Sequence, residues 1–433
     1  MRPSRLICSA GCGAEWPLTA VVYRCDRCGG LLEVAHDVES LSGLSAAGWK
    51  ARFATRARIS GVWGKREWVM PHLEDGDIVS LGEGWSPLLP LPAMARRLGL
   101  GQLELKQCGV SPTGSFKDLG MTVLVSSVRW MRRQGVPIRA VACASTGDTS
   151  AALSAYAAAA GIPSVVFLPR DRVSPAQLVQ PISNGSLVLS LDTDFDGCMR
   201  LVREITGDAG LYLANSMNPL RLEGQKVLAV ELCQQWDWEV PDWVVIPGGN
   251  LGNASALGMG FELLLRLGLI DRRPRIAVAQ AERANPLARA FRARSWEKRP
   301  VAAQQTLASA IQIGDPVSWS RAVRVLEAFA GVVDDATEAE LSDASAEADR
   351  EGAFACPHTG VALAVAAKLS RRGIISAGSR VVVISTAHGL KFPAFKAGYH
   401  TESSPGPWAN PPVVLPAEVG AIKAVLDQRL AAS

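Results

Sequence analysis

The sequence predicts an α/β protein with largely parallel sheets, preceded by a small cysteine-bearing module. Three observations carry that expectation: short runs that are apolar at nearly every position, helix-length segments between them, and four cysteines crowded into the first thirty residues. The apolar runs are 103–106, 140–143, 164–168, 187–191, 211–214, 243–246, 275–279 and 380–385. Parallel strands read this way because helices cover both of their faces. Segments 149–160, 196–206, 221–235 and 359–371 carry helical patterns between them, and strand–helix alternation defines the class. Ligands in such folds sit beyond the strand C-termini, where helix N-termini point.

The chain opens on Cys8, Cys12, Cys25 and Cys28, spaced C-x3-C-x12-C-x2-C. Each close pair lets one turn offer two thiolates, and two such turns make the tetrahedral sulfur site that suits zinc. Gly11, Gly13, Gly29 and Gly30 stand where those turns tighten. A pair of disulfides or a metal-free ribbon would use the same residues. His36 lies outside the four-ligand pattern and reads as an ordinary surface or packing histidine. The other cysteines, Cys108, Cys143, Cys198, Cys233 and Cys356, are scattered, and Cys143 and Cys233 sit in apolar contexts as small core residues. Nine cysteines is an odd number, against a complete disulfide framework.

Residues 40–80 form a tryptophan-containing stretch of mixed helix and loop. After Lys391 the texture changes again: prolines between 403 and 412 mark a linker, and 417–432 an amphipathic helix that packs on the body or on a partner subunit.

Composition removes several function classes. The 433 residues exceed one typical module and suggest two or three domains. With 48% hydrophobic and 20% charged residues the chain can bury a large core, so it is not mostly disordered. The net charge of +4 is spread without long basic runs, which excludes an electrostatic nucleic-acid binder. In the ribbon itself Arg2, Arg5, Arg24 and Arg27 are balanced by Glu15, Asp26 and Glu33. No apolar stretch reaches the roughly 18 residues of a membrane span, and the first residues carry no export signal. A reducing compartment follows, most simply a bacterial cytoplasm.

Three elements carry chemistry. In Ser111-Pro112-Thr113-Gly114-Ser115-Phe116-Lys117-Asp118 a lysine stands at a helix start beside Phe116. Apolar surroundings lower an amine's pKa and ready it for a Schiff base with an aldehyde, although a surface lysine is the commoner reading of one such residue. Pro247-Gly248-Gly249-Asn250-Leu251-Gly252-Asn253 follows a strand directly, and its glycines let backbone N–H groups turn toward one anion. It matches neither the nucleotide P-loop nor the dinucleotide fingerprint. Ala144-Ser145-Thr146-Gly147-Asp148-Thr149-Ser150 offers hydroxyls and a carboxylate between strand and helix, and a plain helix cap explains Asp148 or Thr149 as well. The same ambiguity covers Ser385-Thr386-Ala387-His388-Gly389, where His388 reads by default as structural. A Schiff-base lysine and a phosphate cradle, both at strand ends, suit a cofactor with one aldehyde and one phosphate, pyridoxal phosphate.

Taken in order, the motifs at 112–118, 144–150, 248–253 and 385–391 resemble those of the threonine synthases, most closely their plant-type branch. Further matches are Asn215-Ser216-Met217-Asn218-Pro219 with Arg221 to Lys226, Ala310 to Pro316, and Pro357-His358-Thr359-Gly360. The resemblance covers roughly residues 1–400. It implies the pyridoxal-phosphate fold type II, like the tryptophan synthase β chain: two open parallel-sheet domains behind a zinc-ribbon-like module at 1–40. The catalytic region would span 41–400 with a smaller inner domain near 120–225, and 401–433 would be the linker and C-terminal helix.

The resemblance further implies conversion of O-phospho-L-homoserine and water to L-threonine and phosphate. Lys117 would hold the cofactor and move protons at the substrate's α- and β-carbons. Gly249, Asn250, Leu251, Gly252 and Asn253 would cradle the cofactor phosphate. Asp148, where many relatives have Asn, would approach the cofactor's phenolic oxygen, and Thr386 its ring nitrogen. Ser145, Thr146 and Thr149 would take the substrate carboxylate; Arg221, with Asn215, Ser216 and Lys226, would take its phosphate, an arginine fork suiting that group. The alternative for Arg221 is a salt bridge to Glu223. A homodimer and an S-adenosylmethionine effector, as in plant-type relatives, are implied by the resemblance alone. The rival readings are a cysteate-synthase-like enzyme joining sulfite to phosphoserine, an amino-acid dehydratase, and a ribbon-bearing binding protein on an inactive scaffold. A phosphate-sized basic cluster disfavours the dehydratase, and an intact Lys117 with a whole glycine loop disfavours the last.

Overall fold

The structure, a computed structural model, describes residues 4–37, 43–56, 60–170, 175–193, 195–206, 210–401 and 406–430. The expected linker residues 403–405, the last two residues of the expected helix 417–432, and residues 1–3 and 38–40 of the expected ribbon lie outside the described residues.

Thirteen strands occur among the described residues. They are β1 (Arg5–Cys8), β2 (Glu15–Pro17), β3 (Leu32–Ala35), β4 (Leu88–Pro90), β5 (Gln102–Gln107), β6 (Ala140–Ala144), β7 (Ser164–Pro169), β8 (Leu187–Leu191), β9 (Leu211–Leu213), β10 (Trp243–Pro247), β11 (Arg275–Ala281), β12 (Val332–Ala336) and β13 (Arg380–Ser385). The first three make an antiparallel sheet in the order β2-β1-β3. A six-stranded sheet runs β12-β11-β10-β13-β5-β4, parallel except for the edge strand β4. A four-stranded sheet, wholly parallel, runs β8-β7-β6-β9.

All eight apolar runs are strands. Every residue of β10 is buried, as are the last five of β13 and, in the smaller sheet, all of β6. Two further strands of the larger sheet escaped the apolar pattern. In β12, Asp334 and Asp335 sit buried in mid-strand, which is tolerable only because Arg292, Arg372 and Asn285 pair with them. In β4, Pro90 lacks an N–H, and an edge strand is where a sheet accepts that.

The helical expectations hold with small shifts. Segment 221–235 forms two consecutive helices, Leu220–Gln225 and Val227–Gln235, that meet at Lys226. The first packs closely against the helix Lys117–Arg133: a Cβ on Gly120 would come within 2.9 Å of the Arg221 carbonyl. Of the stretch 40–80, residues 40–42 and 57–59 lie outside the described residues; in the rest, Trp49 and Phe53 of the helix Ala46–Arg56 pack on Trp68, and the Phe53 and Trp68 rings meet edge-to-face at 4.5 Å. Val419–Leu430 buries no residue against the body. No helix among the described residues is long and apolar enough to cross a membrane.

Candidate active site

A cavity of about 1100 Å³ opens at the strand C-termini. Ala144, Pro169 and Pro247, the last residues of β6, β7 and β10, reach its wall, and Thr386 joins it just beyond β13. Parallel sheets place ligands there.

Lys117 is the first residue of the helix Lys117–Arg133, and its Nζ lies 4.0 Å from the Phe116 ring centre. Burial lowers its pKa to about 8; Arg221 and Lys391 push the same way and Asp148 opposes them. A measurable fraction of the amine is therefore neutral near physiological pH, the form that attacks a carbonyl.

The glycine turn after β10 offers little but backbone. Asn253 donates to the Pro247 carbonyl at 2.7 Å, and the Asn250 side chain accepts from the Val317 N–H at 3.3 Å. Gly249 to Asn253 line the cavity, and the helix Gly252–Arg266 begins there. Leu251 adopts a left-handed conformation, φ 66°, to enter that helix. A Cβ on Gly249 would stand 2.9 Å from Ile311 Cα, so glycine is required by close approach of the opposite wall. Such a turn favours an anion.

Asp148 starts the helix Asp148–Ala160, and its carboxylate pairs with Lys391 at 2.8 Å. Burial alone would raise its pKa; Lys391 and Lys117 outweigh that and hold it below the usual carboxylate range. Thr386 belongs to a buried cluster: its N–H donates to Thr359 Oγ1 at 3.3 Å, and its hydroxyl lies 3.9 Å from Cys356 Sγ. Ser145, Thr146 and Thr149 line the cavity at the start of the Asp148 helix.

Arg221 is 3% exposed and reaches the cavity wall. It donates to the Ala214 carbonyl at 3.1 Å, while its Nε is buried without a partner. Burial lowers its pKa to about 10, which leaves it charged at neutral pH. The alternative pairing with Glu223 does not occur: Glu223 bonds to His36 and Lys226.

Of the cofactor and substrate residues expected from the sequence, all reach this cavity except Lys226. Lys226 is buried in its pair with Glu223, turned away from the cavity. Asn215 lines the wall, but its amide is taken by the main chain of Ala144, accepting from N–H at 3.1 Å and donating to the carbonyl at 2.8 Å. Lys391 and His358, inside quoted motifs, and Gln180, outside them, went unassigned. Lys391 crosses to Asp148, to the Thr113 carbonyl at 3.0 Å and to Gln180 at 3.1 Å. Gln180 and His358 also face the cavity, and His358 Nε2 accepts from the Ala310 N–H at 3.0 Å. Gln180 had no sequence signal, while His358 stood in the Pro357–Gly360 motif. His388 is structural, its Nδ1 accepting from Leu390 N–H.

At the far end of the chain, the four N-terminal cysteine sulfurs lie within 4.8 Å of one another. The Cys8–Cys28 and Cys12–Cys25 pairs stand 3.4 Å apart, too far for disulfides. Four such thiols are a set that one zinc ion, with bonds of about 2.3 Å, would draw together.

A buried amine, a glycine-backbone cradle and an arginine with an unmet donor fit pyridoxal phosphate with a phosphorylated substrate, and define the site of a pyridoxal-phosphate dependent enzyme. Residues 79–387 match the family model described as pyridoxal-phosphate dependent enzyme. The chain is 52% identical to threonine synthase 2, chloroplastic, of Arabidopsis thaliana, over 96% of this chain and 83% of that one. It is 38% identical to the threonine synthase of Methanocaldococcus jannaschii, over 88% and 92% of the two chains. The solved threonine synthase of Escherichia coli has the same fold, with a TM-score of 0.68 and 20% identity over 98% and 99% of the two chains. The chain belongs to the threonine synthase family of pyridoxal-phosphate dependent enzymes.

Proposed function

We propose that the protein converts O-phospho-L-homoserine and water to L-threonine and phosphate. The observation that carries this reading is the meeting of the buried Lys117 amine, the glycine turn and the partly unpaired Arg221 guanidinium at one cavity. Pyridoxal phosphate, when bound, supplies the electron sink for carbanion chemistry at the substrate's α-carbon. Lys117 would hold its aldehyde and carry protons between the α- and β-carbons. The main chain of Gly249 to Asn253 would hold its phosphate. Asp148 would face its phenolic oxygen, with Lys391 keeping the carboxylate ionised, and the Thr386 hydroxyl its ring nitrogen. Ser145, Thr146 and Thr149 would receive the substrate's carboxylate, and Arg221 its phosphate, with Ser216 beside it. The inner domain near 120–225 would carry most of these substrate contacts.

Purified protein loaded with pyridoxal phosphate should release phosphate and threonine in equal amounts from O-phospho-L-homoserine. Phosphate without threonine would make it an eliminating enzyme, and neither product would remove this substrate.

Zinc on Cys8, Cys12, Cys25 and Cys28 belongs to the same proposal, supported by the clustered sulfurs; metal analysis should find one zinc per chain. A cytoplasmic setting suits a chain in which no disulfide joins the described cysteines. The homodimer and the S-adenosylmethionine effector rest on the family resemblance; sedimentation and calorimetric titration test them.

A further inference from the structure

The helix Leu220–Gln225 is a thin wall with two different faces. Arg221, Leu222 and Gln225 look into the cavity. Glu223, two residues from Arg221 and so about 200° around the helix, looks the other way. There it meets the N-terminal ribbon. Its Oε2 accepts from His36 Nε2 at 2.6 Å and from Lys226. Glu223 is fully buried, the His36 side chain is 8% exposed, and Glu223 Oε1 has no partner.

The roles in this contact are fixed by chemistry. Burial holds the His36 pKa down, helped by Lys226 and opposed by Glu223, so the ring is neutral. A carboxylate only accepts, so His36 carries its proton on Nε2 and donates it to Glu223. Nδ1 is then the acceptor, and Ser4 Oγ stands 2.9 Å from it. A buried carboxylate with one unpaired oxygen depends heavily on the donors it keeps.

The ribbon grips the body at other points as well. Tyr23 Oη accepts from the Leu213 N–H of β9 at 2.7 Å. Leu31 joins a core with Ala144, Leu213 and Met217. On the other side Arg321, fully buried in the helix Trp319–Ala328, donates to the Leu32 carbonyl, and Arg324 reaches Ser9 and Glu33. The ribbon thus bears on elements of both parallel sheets, and only through His36 does the described structure give it a hydrogen bond to the Arg221 helix.

We propose that the ribbon serves the reaction through His36 and Glu223, positioning residues that hold the Arg221 helix so that its guanidinium meets the substrate's phosphate. The proposal rests on the assignment of Arg221 to that phosphate. The same contact reaches Lys117 only indirectly, through the close packing of the two helices at Gly120, so ground-state binding of phosphate is the quantity it governs most.

The test uses full-length, cofactor-loaded His36→Leu and His36→Gln, the second keeping an N–H donor. Relative to wild type, His36→Leu should raise KM for O-phospho-L-homoserine about tenfold and weaken competitive inhibition by inorganic phosphate equally, with kcat changed less than about threefold. The cofactor's absorption band should be unchanged, and His36→Gln should recover most of the loss. Unchanged KM and phosphate inhibition in His36→Leu would overturn the proposal. So would parallel losses of kcat, cofactor band and thermal stability that His36→Gln fails to restore, since that is the pattern of a merely structural contact. If His36→Leu does not fold, Glu223→Gln, which keeps the volume and removes the charge, is held to the same outcomes. Wild type that binds inorganic phosphate but makes no threonine would defeat the assigned reaction, while the comparison of phosphate binding between wild type and variant would still decide the role of His36.

Discussion

The cavity and the ribbon are built on opposite principles. The cavity stands on parallel strands that are mostly apolar and buried, and its reactive groups draw their properties from burial: Lys117 is pushed down to about 8 and Arg221 to about 10. The ribbon has three strands of three or four residues, half-buried at best, and its centre is four thiols. One region is held by the hydrophobic effect and can place charges at will; the other has too little apolar surface to stand alone and needs a ligand-like centre and a body to lean on. The comparison teaches that burial makes the chemistry in the first region, whereas in the second it makes the attachment, with His36 and Glu223 at the seam.

The largest expected effect breaks the cavity at its centre. Lys117→Ala should lose the covalent yellow adduct with pyridoxal phosphate and at least about a thousandfold in kcat; a cofactor that stays covalently bound in the variant would disprove the assignment. Arg221→Lys keeps a charge but loses the planar fork, so KM should rise by about tenfold to a hundredfold, read from steady-state kinetics. A smaller change is expected on the ribbon side. Cys25→Ala should abolish binding of the proposed zinc and raise KM through the same seam, while the cofactor band, which belongs to the cavity, persists. If the band vanished as well, the two regions would not be separable as described.

The smallest effect sharpens the electrostatics of the cavity. Asp148 is held below its ordinary pKa by Lys391 and Lys117 despite burial. A lowered carboxyl contributes stability above its unfolded pKa and loses it as the pH falls through the folded one. In Lys391→Met the chief opponent of burial is gone, so the acid loss of stability should begin at higher pH. Denaturant unfolding of the cofactor-free protein across pH 3 to 7 reads this as an upward shift of the acid limb.

Much of this was legible in sequence because the signals were local. Apolar runs gave the buried strands, and glycine beside Asn250 gave the turn. What escaped was long-range or depended on pairing. The aspartates of β12 broke the apolar pattern, and their arginine partners lie more than thirty residues away. Lys391 stood within a quoted motif, but its meeting with Asp148 spans most of the chain. Lys226 was misplaced by nearness to Arg221 in sequence: five residues along a helix is about 140° around it. The i,i+3 relation to Glu223 was the better guide. His36 reads as a packing histidine, and it packs; that its partner is the back of the Arg221 helix shows only in three dimensions.

The central claim is that one cavity holds the cofactor at Lys117 and the substrate's phosphate at Arg221. A crystal structure of the protein with pyridoxal phosphate and a phosphonate analogue of O-phospho-L-homoserine tests it most directly. The account predicts a covalent link from Lys117, or its displaced amine beside the analogue, the cofactor phosphate on the Gly249–Asn253 main chain, and the phosphonate within hydrogen-bonding distance of Arg221. A phosphonate seated away from Arg221, or a cofactor phosphate outside the glycine turn, would contradict it.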